Sequence, residues 1–159
     1  MKKRKADESS SFRPLFWLYL VAAFVFLSDQ ATKAIALQFL KPRLSIPLVP
    51  NFFHLSFVEN SGIAFGFFQG HPGLLTFVIS ASVLVLLICS RLFQNRPFPY
   101  TLAYGFILGG ALGNWVDRIR WQHVIDFLDF RIWPVFNLAD SFITVGVIVF
   151  IWFSFKVDP

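Results

Sequence analysis

The chain is short of the residues on which soluble catalysis and disulfide frameworks usually draw. It has one cysteine and three histidines in 159 residues. Cys89 stands alone within an apolar run, so a disulfide framework and a cysteine metal site are both excluded, and packing is its expected role. His54, His71 and His123 are scattered rather than clustered, and each is expected at an interface or in solvent. Charge is scarce too. Only 14% of residues are Asp, Glu, Lys or Arg, against 56% hydrophobic and 19% aromatic, and the mean hydropathy is +0.63. Such proportions lie outside the usual range of soluble domains. Charges gather near the N-terminus and in short connections, which is how a polytopic membrane protein distributes polarity. No internal repeat or low-complexity segment is present.

A net charge of +5 with a pI near 9.7 could suggest nucleic acid. Four of the fourteen basic residues, however, form one cluster, Lys2, Lys3, Arg4 and Lys5, which reads as a cytoplasmic anchor under the positive-inside rule. No nucleic-acid partner is expected.

Four spans follow from the apolar runs. The first begins with thirteen apolar residues, Leu15 to Leu27, and passes Asp29 and Lys33 before turning apolar again. A basic start, an apolar stretch and the small triad Ala34-Ile35-Ala36 also fit a cleavable signal peptide. The two charges between that stretch and the triad favour an uncleaved helix. Seventeen uncharged residues from Leu74 to Ser90 make the second span, at the lower limit of crossing length. Twenty from Pro97 to Val116 make the third, and Val135 to Phe155, interrupted only by Asp140, makes the fourth. The expected spans are about 15–37, 73–90, 97–117 and 135–155, within one domain covering 12–159 behind a disordered tail of residues 1–11.

With the N-terminal cluster inside, both termini are cytoplasmic. Eight Lys and Arg residues then lie inside and six outside. The connection between the first two helices carries Pro42, Pro47 and Pro50 and then β-branched and aromatic residues, so a short strand near Phe53 to Val58 and a turn at "ENSG" are expected. A sheet edge cannot lie in bare hydrocarbon, which places this piece at the interface or against the helices. The fold class is therefore an all-α membrane protein of four transmembrane helices, with a small extracytoplasmic β-containing segment between helices one and two.

Asp117, Asp126, Asp129 and Asp140 gather at the outward ends of helices three and four. At about 1.5 Å per residue, Ser141 to Phe155 covers roughly 22 Å of a core about 30 Å thick, which leaves Asp140 just below the outer boundary with Asn114 and Asp117 at a similar level. A carboxylate at that depth must face the bundle interior, be protonated or find a partner. Two carboxylates brought together would share a proton, giving a base and an acid without metal or thiol. Composition and depth alone leave three readings: such a hydrolytic pair, a proton-coupled transporter using Asp140 and Asp29, and an assembly factor whose carboxylates only fix helix packing. Asp29 and Lys33, four apart, share a helix face and can pair. Gly109, Gly110 and Gly113 suit close helix packing, and Asp129 is expected to be a solvated loop carboxylate.

Four motifs narrow this choice. "ENSGIAFG" (59–66), "GGALGNWVDR" (109–118), "HVIDFLDF" (123–130) and "FNLADS" (136–141), in this order among four hydrophobic spans, resemble the lipoprotein signal peptidases, also called signal peptidase II. The resemblance covers about Leu15 to Phe155, and the turn motif departs from it only in Ile63, where a small residue is usual. It implies an aspartic endopeptidase of the bacterial inner membrane that cuts diacylglyceryl-modified prolipoproteins on the N-terminal side of the lipidated cysteine. It maps the catalytic pair onto Asp126 and Asp140. Supporting or substrate-binding roles fall to Asp29, Lys33, Asn60, Asn114, Arg118 and Asn137, with Asp117 a secondary stabiliser. The implied partners are the modified prolipoprotein and membrane lipid, with no cofactor or metal, a monomeric enzyme and an active site near the extracytoplasmic face.

Overall fold

A computed structural model describes residues 2–62 and 72–156, with side chains from Leu15 onward, that of Pro72 excepted. Ile63, the end of the "ENSGIAFG" motif and His71 lie outside the described residues. The element order is α1 (Lys2–Phe39), β1 (Ser45–Val49), β2 (Phe53–Asn60), α2 (Pro72–Cys89) with a 3-10 turn at Ser90–Phe93, α3 (Phe98–Trp121), β3 (Val124–Asp129) and α4 (Leu138–Lys156). The backbone is helical from Lys2, in the stretch that the sequence reading leaves as a tail. Prolines stand at the starts of α2 and α3, where the missing N–H has no intrahelical partner to lose. Gln122 ends α3 in the left-handed region at φ 62°, its N–H reaching the Arg118 carbonyl at 3.1 Å.

Among the described residues, three helical segments are long and apolar enough to cross a membrane, at Leu15–Phe39, Gly73–Phe93 and Leu138–Lys156. Their apolar side chains point outward in large numbers: Phe24, Leu27, Phe77, Ile88, Ile148 and Phe155 are each 60% exposed or more. In water that would be an aggregation surface, whereas a bilayer solvates it. The 24-residue α3, about 36 Å long, is the helix that the other three pack around, and it buries Tyr104, Leu108, Asp117 and Arg118 among others. It carries more polar residues because its neighbours shield it.

Close approach to α3 depends on its glycines. A Cβ on Gly109 would stand 2.5 Å from the Ala22 carbonyl oxygen of α1, and one on Gly110 would stand 2.6 Å from the Ala139 carbonyl oxygen of α4. Gly146 of α4 answers from the other side, with 2.7 Å to the Ala103 carbonyl oxygen. Small residues at these crossings bring backbones into contact without relying on a hydrophobic force that lipid does not supply. At one end of the bundle Leu18, Ala22, Tyr104 and Leu108 form a core against which Cys89 packs, as expected of it.

At the other end lies a three-stranded antiparallel sheet in the order β1-β2-β3. Pro47 is tolerated because β1 is an edge strand. The sheet seals against α1 through Ala36, Leu40, Ile125 and Phe127. The sequence reading placed its strand correctly near Phe53 to Val58 but confined β structure to the connection between the first two helices. The third strand, Val124–Asp129, comes from the connection between α3 and α4, so the domain is mostly helical rather than all-α. Its six residues, Val, Ile, Phe and Leu with an aspartate after each pair, form a run long enough for a strand. The carboxylates at positions three and six disguise it.

Gly109→Ala is expected to destabilise the protein by about 1–3 kcal/mol, because backbone on α1 must move to admit the methyl group. Gly73→Ala, with open space around it, is expected to be neutral or stabilising. Thermal unfolding of the two variants in detergent checks the pair.

Candidate active site

The site grows from the first turn of α4. Asn137 immediately precedes the helix and its Oδ1 accepts the Asp140 backbone N–H at 2.9 Å, while Asp140 Oδ2 accepts the Asn137 N–H at 3.2 Å. This is a reciprocal capping box built from asparagine and aspartate, and it fixes the Asp140 carboxylate at the positive end of the helix. Asn137 thus stands just outside the helix as its cap.

The capping amide also reaches outward. Asn137 Nδ2 donates to Asp126 Oδ1 at 2.7 Å and to Asn114 Oδ1 at 3.0 Å. Asn60 at the end of β2 donates to Asp126 Oδ2 at 2.8 Å, and Asn114 on α3 donates to Asp140 Oδ1 at 2.8 Å. Each of the four carboxylate oxygens therefore accepts one N–H. Each also keeps acceptor capacity toward the cleft, because a carboxylate oxygen has two lone-pair directions. The asparagine oxygens are turned away: Asn60 Oδ1 accepts the Gly62 N–H at 3.0 Å in an Asx turn, and Asn114 Oδ1 accepts from Lys33 Nζ at 2.9 Å. All three amides thus face the aspartates as donors, an orientation assigned from the hydrogen-bond pattern.

Beneath this layer lies a buried ion cluster. Lys33 Nζ stands 2.8 Å from Asp29 Oδ2 and 2.8 Å from Asp117 Oδ2, with all three side chains less than 5% exposed. Asp29 Oδ1 accepts the Ala139 N–H of α4 at 2.9 Å, and Asp117 Oδ2 accepts the Ile125 N–H of β3 at 3.4 Å. The pairing expected of Asp29 and Lys33 is present. Asp117, expected only as a secondary stabiliser, is the second anion of the cluster. Gln30, which the sequence reading passed over, donates to Asp117 Oδ1 at 3.0 Å and to the Gly113 carbonyl at 3.3 Å. A polar residue next to Asp29 inside an apolar span was the available signal. Gly113 is glycine for a local reason: a Cβ there would strike the Asp29 carboxylate.

Arg118, adjacent to Asp117 and pointing elsewhere, donates through Nη2 to the Gly62 carbonyl at 2.6 Å. Asn60, Asn114, Arg118, Asp126 and Asp140 line one cavity of about 340 Å³, together with Ile79 of α2 and Thr144 of α4. Beside it, sharing Trp133, Phe136, Asp140 and Thr144, runs a larger groove of about 610 Å³ walled by Phe52, Phe130, Ile132 and Val145. Burial, together with the charge of Asp140 nearby, pushes the Asp126 carboxyl up to about 7 against the lowering effect of its Asn60 and Asn137 hydrogen bonds.

Asp129 does not join this group and is not a solvated loop residue. It ends β3, 6% exposed, and accepts from Ser56 Oγ at 2.7 Å and the Arg131 N–H at 2.8 Å. Strand alternation separates it from Asp126, since positions three apart face opposite sides of a sheet. His54, opposite Asp129 in the sheet, contacts Ser45 through Nδ1 at 3.2 Å, and His123 lies 3.9 Å from Glu59.

Comparison with known proteins identifies the family. The family model described as signal peptidase (SPase) II matches residues 21–156. The lipoprotein signal peptidase of Halothermothrix orenii is 42% identical over 144 residues, covering 88% of this chain and 98% of its own. That of Caldanaerobacter subterraneus subsp. tengcongensis is 48% identical over 133 residues, covering 82% and 90%. Two solved structures described as bacterial membrane enzymes superpose with TM-scores of 0.77 and 0.75, each at 31% identity, covering 87% and 89% of this chain and 87% and 94% of their own. With its family model matched over most of its length, the chain belongs to the signal peptidase II family.

Proposed function

We propose that the chain cleaves signal peptides from diacylglyceryl-modified prolipoproteins, on the N-terminal side of the lipidated cysteine, with Asp126 and Asp140 as the catalytic pair. The observation that carries the assignment of the pair is the cleft itself. Two aspartates from separate elements line it, and every oxygen of both is held by an amide donor. Family membership carries the reaction class, an aspartic peptidase acting in prolipoprotein processing. The neighbouring apolar groove supports a substrate that brings an apolar segment to the cut site.

In this mechanism one carboxylate is ionised and the other protonated. A water between them gives a proton to the ionised member while its oxygen bonds to the scissile carbonyl carbon. The protonated member donates a hydrogen bond to the developing oxyanion. The C–N bond then breaks as the leaving nitrogen takes that member's proton, so the two carboxylates exchange roles over the cycle. Base and acid are properties of the pair, which titrates jointly. Asn60, Asn114 and Asn137 aim the carboxylates, and Arg118 supplies a cation to the cleft.

The proposal extends to placement. Four helices cross the bacterial inner membrane: the three apolar ones, and α3, whose length suffices and whose polar residues are shielded by its neighbours. Both termini are cytoplasmic, as the basic N-terminal cluster favours. The site and sheet then lie near the extracytoplasmic face, and the enzyme acts as a monomer.

The direct test is incubation of purified protein with a diacylglyceryl-modified prolipoprotein and with its unmodified form, followed by mass analysis of the products. Preferential cleavage of the modified form is expected; equal cleavage of both would remove the lipid requirement. Asp126→Asn and Asp140→Asn are each expected to reduce kcat by more than about 10³-fold while the protein still folds. Substantial turnover by either variant would sink the pair. EDTA is expected to leave the rate unchanged, and loss restored by zinc would contradict the mechanism.

A carboxyl raised to about 7 loses its proton as pH rises through neutrality, and the pair then lacks its acid. The rate should therefore follow a bell whose alkaline limb falls near pH 7, with the acidic limb marking loss of the ionised base. A profile that rises steadily to pH 9 would contradict this assignment.

A further inference from the structure

We infer that Lys33 is a positioning residue for Asp140: its ammonium holds the Asn114 side-chain amide in the one orientation that donates to the Asp140 carboxylate. The inference rests on the reading of Asp126 and Asp140 as the catalytic pair. Each of three asparagines must turn its N–H toward an aspartate, and two of them are held by local backbone. Asn137 Oδ1 is pinned by the Asp140 N–H at 2.9 Å and Asn60 Oδ1 by the Gly62 N–H at 3.0 Å. Asn114 has no such neighbour in the chain. Its Oδ1 accepts from Lys33 Nζ at 2.9 Å, a residue 81 positions away on α1, and from Asn137 Nδ2 at 3.0 Å.

The donor inventory makes the orientation compulsory. An ammonium has three N–H donors and no acceptor. Lys33 spends them on Asp29, Asp117 and Asn114, at 2.8, 2.8 and 2.9 Å. A flipped Asn114 would set its NH2 group against that ammonium and its oxygen against Asp140 Oδ1, two repulsive contacts in place of two hydrogen bonds. With Lys33 present the flip meets a penalty at both ends of the amide; without it, the contacts with Asp140 and Asn137 alone oppose it. Burial obliges the third donor to find an acceptor, and the one it meets is Asn114 Oδ1 rather than a backbone carbonyl. Asp140 has few other anchors. Its second oxygen is held by the Asn137 N–H at 3.2 Å, the longest of the four bonds to the pair.

The test separates the donor from the charge. In an Asp29→Asn, Asp117→Asn background, where no carboxylate is left unpaired, Lys33→Gln keeps an N–H for Asn114 and Lys33→Met does not. The Gln protein is expected to exceed the Met protein in kcat by about 30-fold or more with KM equal within about threefold, since misplacing a reacting group costs on the order of 10²-fold. Equal kcat in the two folded proteins, or a difference confined to KM, would overturn the inference. Adding Asn114→Ala should lower the Gln protein to the level of the Met protein and change the Met protein by less than about threefold. Equal losses in both would show that Lys33 does not act through Asn114, and would overturn it. If the neutral clusters fail to accumulate as folded protein, Lys33→Arg in the otherwise native chain decides. It keeps the charge and offers several donors, and kcat within about 30-fold of the native value is expected, a greater loss in a folded protein overturning the inference. Failure of the underlying reading is distinguishable, because it would appear as turnover by Asp126→Asn or Asp140→Asn.

Discussion

The constraint on which the rest depends is the cost of burying charge. Asp29, Lys33 and Asp117 are almost wholly enclosed, and removing one partner from such a group typically costs about 3–5 kcal/mol. The cluster survives because every polar atom in it has work elsewhere. Asp29 also caps the start of α4, Asp117 also accepts the Ile125 N–H of β3, and Lys33 also reaches Asn114. Three elements, α1, α4 and β3, are thereby tied to one another through α3. A hydrophobic replacement of similar volume would satisfy the packing but release all three tethers at once. The position of both site aspartates follows from this arrangement, since Asp140 is three residues from the N-cap of α4 and Asp126 lies next to Ile125 of β3.

That tie works only because backbones come close. Gly113 lets the Asp29 carboxylate press against α3, while Gly109 and Gly110 admit α1 and α4 on neighbouring faces. The glycines are spent where a polar group or a carbonyl must approach, and the large apolar side chains face outward instead. Against lipid this inversion costs nothing, because tails solvate Leu and Phe as well as a protein core does. α2 shows the other extreme. It meets α3 alone among the helices at any extent, with Trp115 Nε1 donating to Ser80 Oγ at 2.9 Å and Tyr104 Oη donating to the Leu86 carbonyl at 2.7 Å as polar links. Ile79 on this lightly attached helix lines the cleft, so the wall next to the aspartates is also the least constrained one.

Helices were legible in the sequence because lipid leaves few alternatives: a charge-free run of seventeen residues or more has to satisfy its own backbone. The motifs were equally legible, and the residues mapped by resemblance onto the pair do meet across one cleft. What could not be read was which chemistry sits on which element. β3 escaped because Asp126 and Asp129 interrupt its apolar pattern, and a strand is recognised by pattern. Asp129 was misjudged for the same reason, since only the pairing of β3 with β2 brings Ser56 to it. Gln30 carries no charge and so raised no alarm in a span already marked by Asp29 and Lys33. The hydropathy of α3 understates its length because shielded polar residues lower it, and shielding is a tertiary property.

The two aspartates are unlike in setting, and the difference bears on how water can be used beside a bilayer. Asp126 is 2% exposed, on a strand clamped between β2 and the Phe136 backbone, whereas Asp140 is half-buried at the mouth shared by cleft and groove. The proposed reaction requires that hydrocarbon be excluded from the reacting atoms and one water still be admitted. A cavity of about 340 Å³ with Asn60, Asn114, Arg118, Asp126 and Asp140 in its lining offers a water enough polar partners to be held. The adjoining groove is apolar and favours the opposite occupant. Asp140 stands on the boundary between the two, where an apolar substrate segment and a held water can reach the same carboxylate. The capping box keeps it there: the α4 backbone fixes its direction, so the boundary residue needs no enclosing wall of its own.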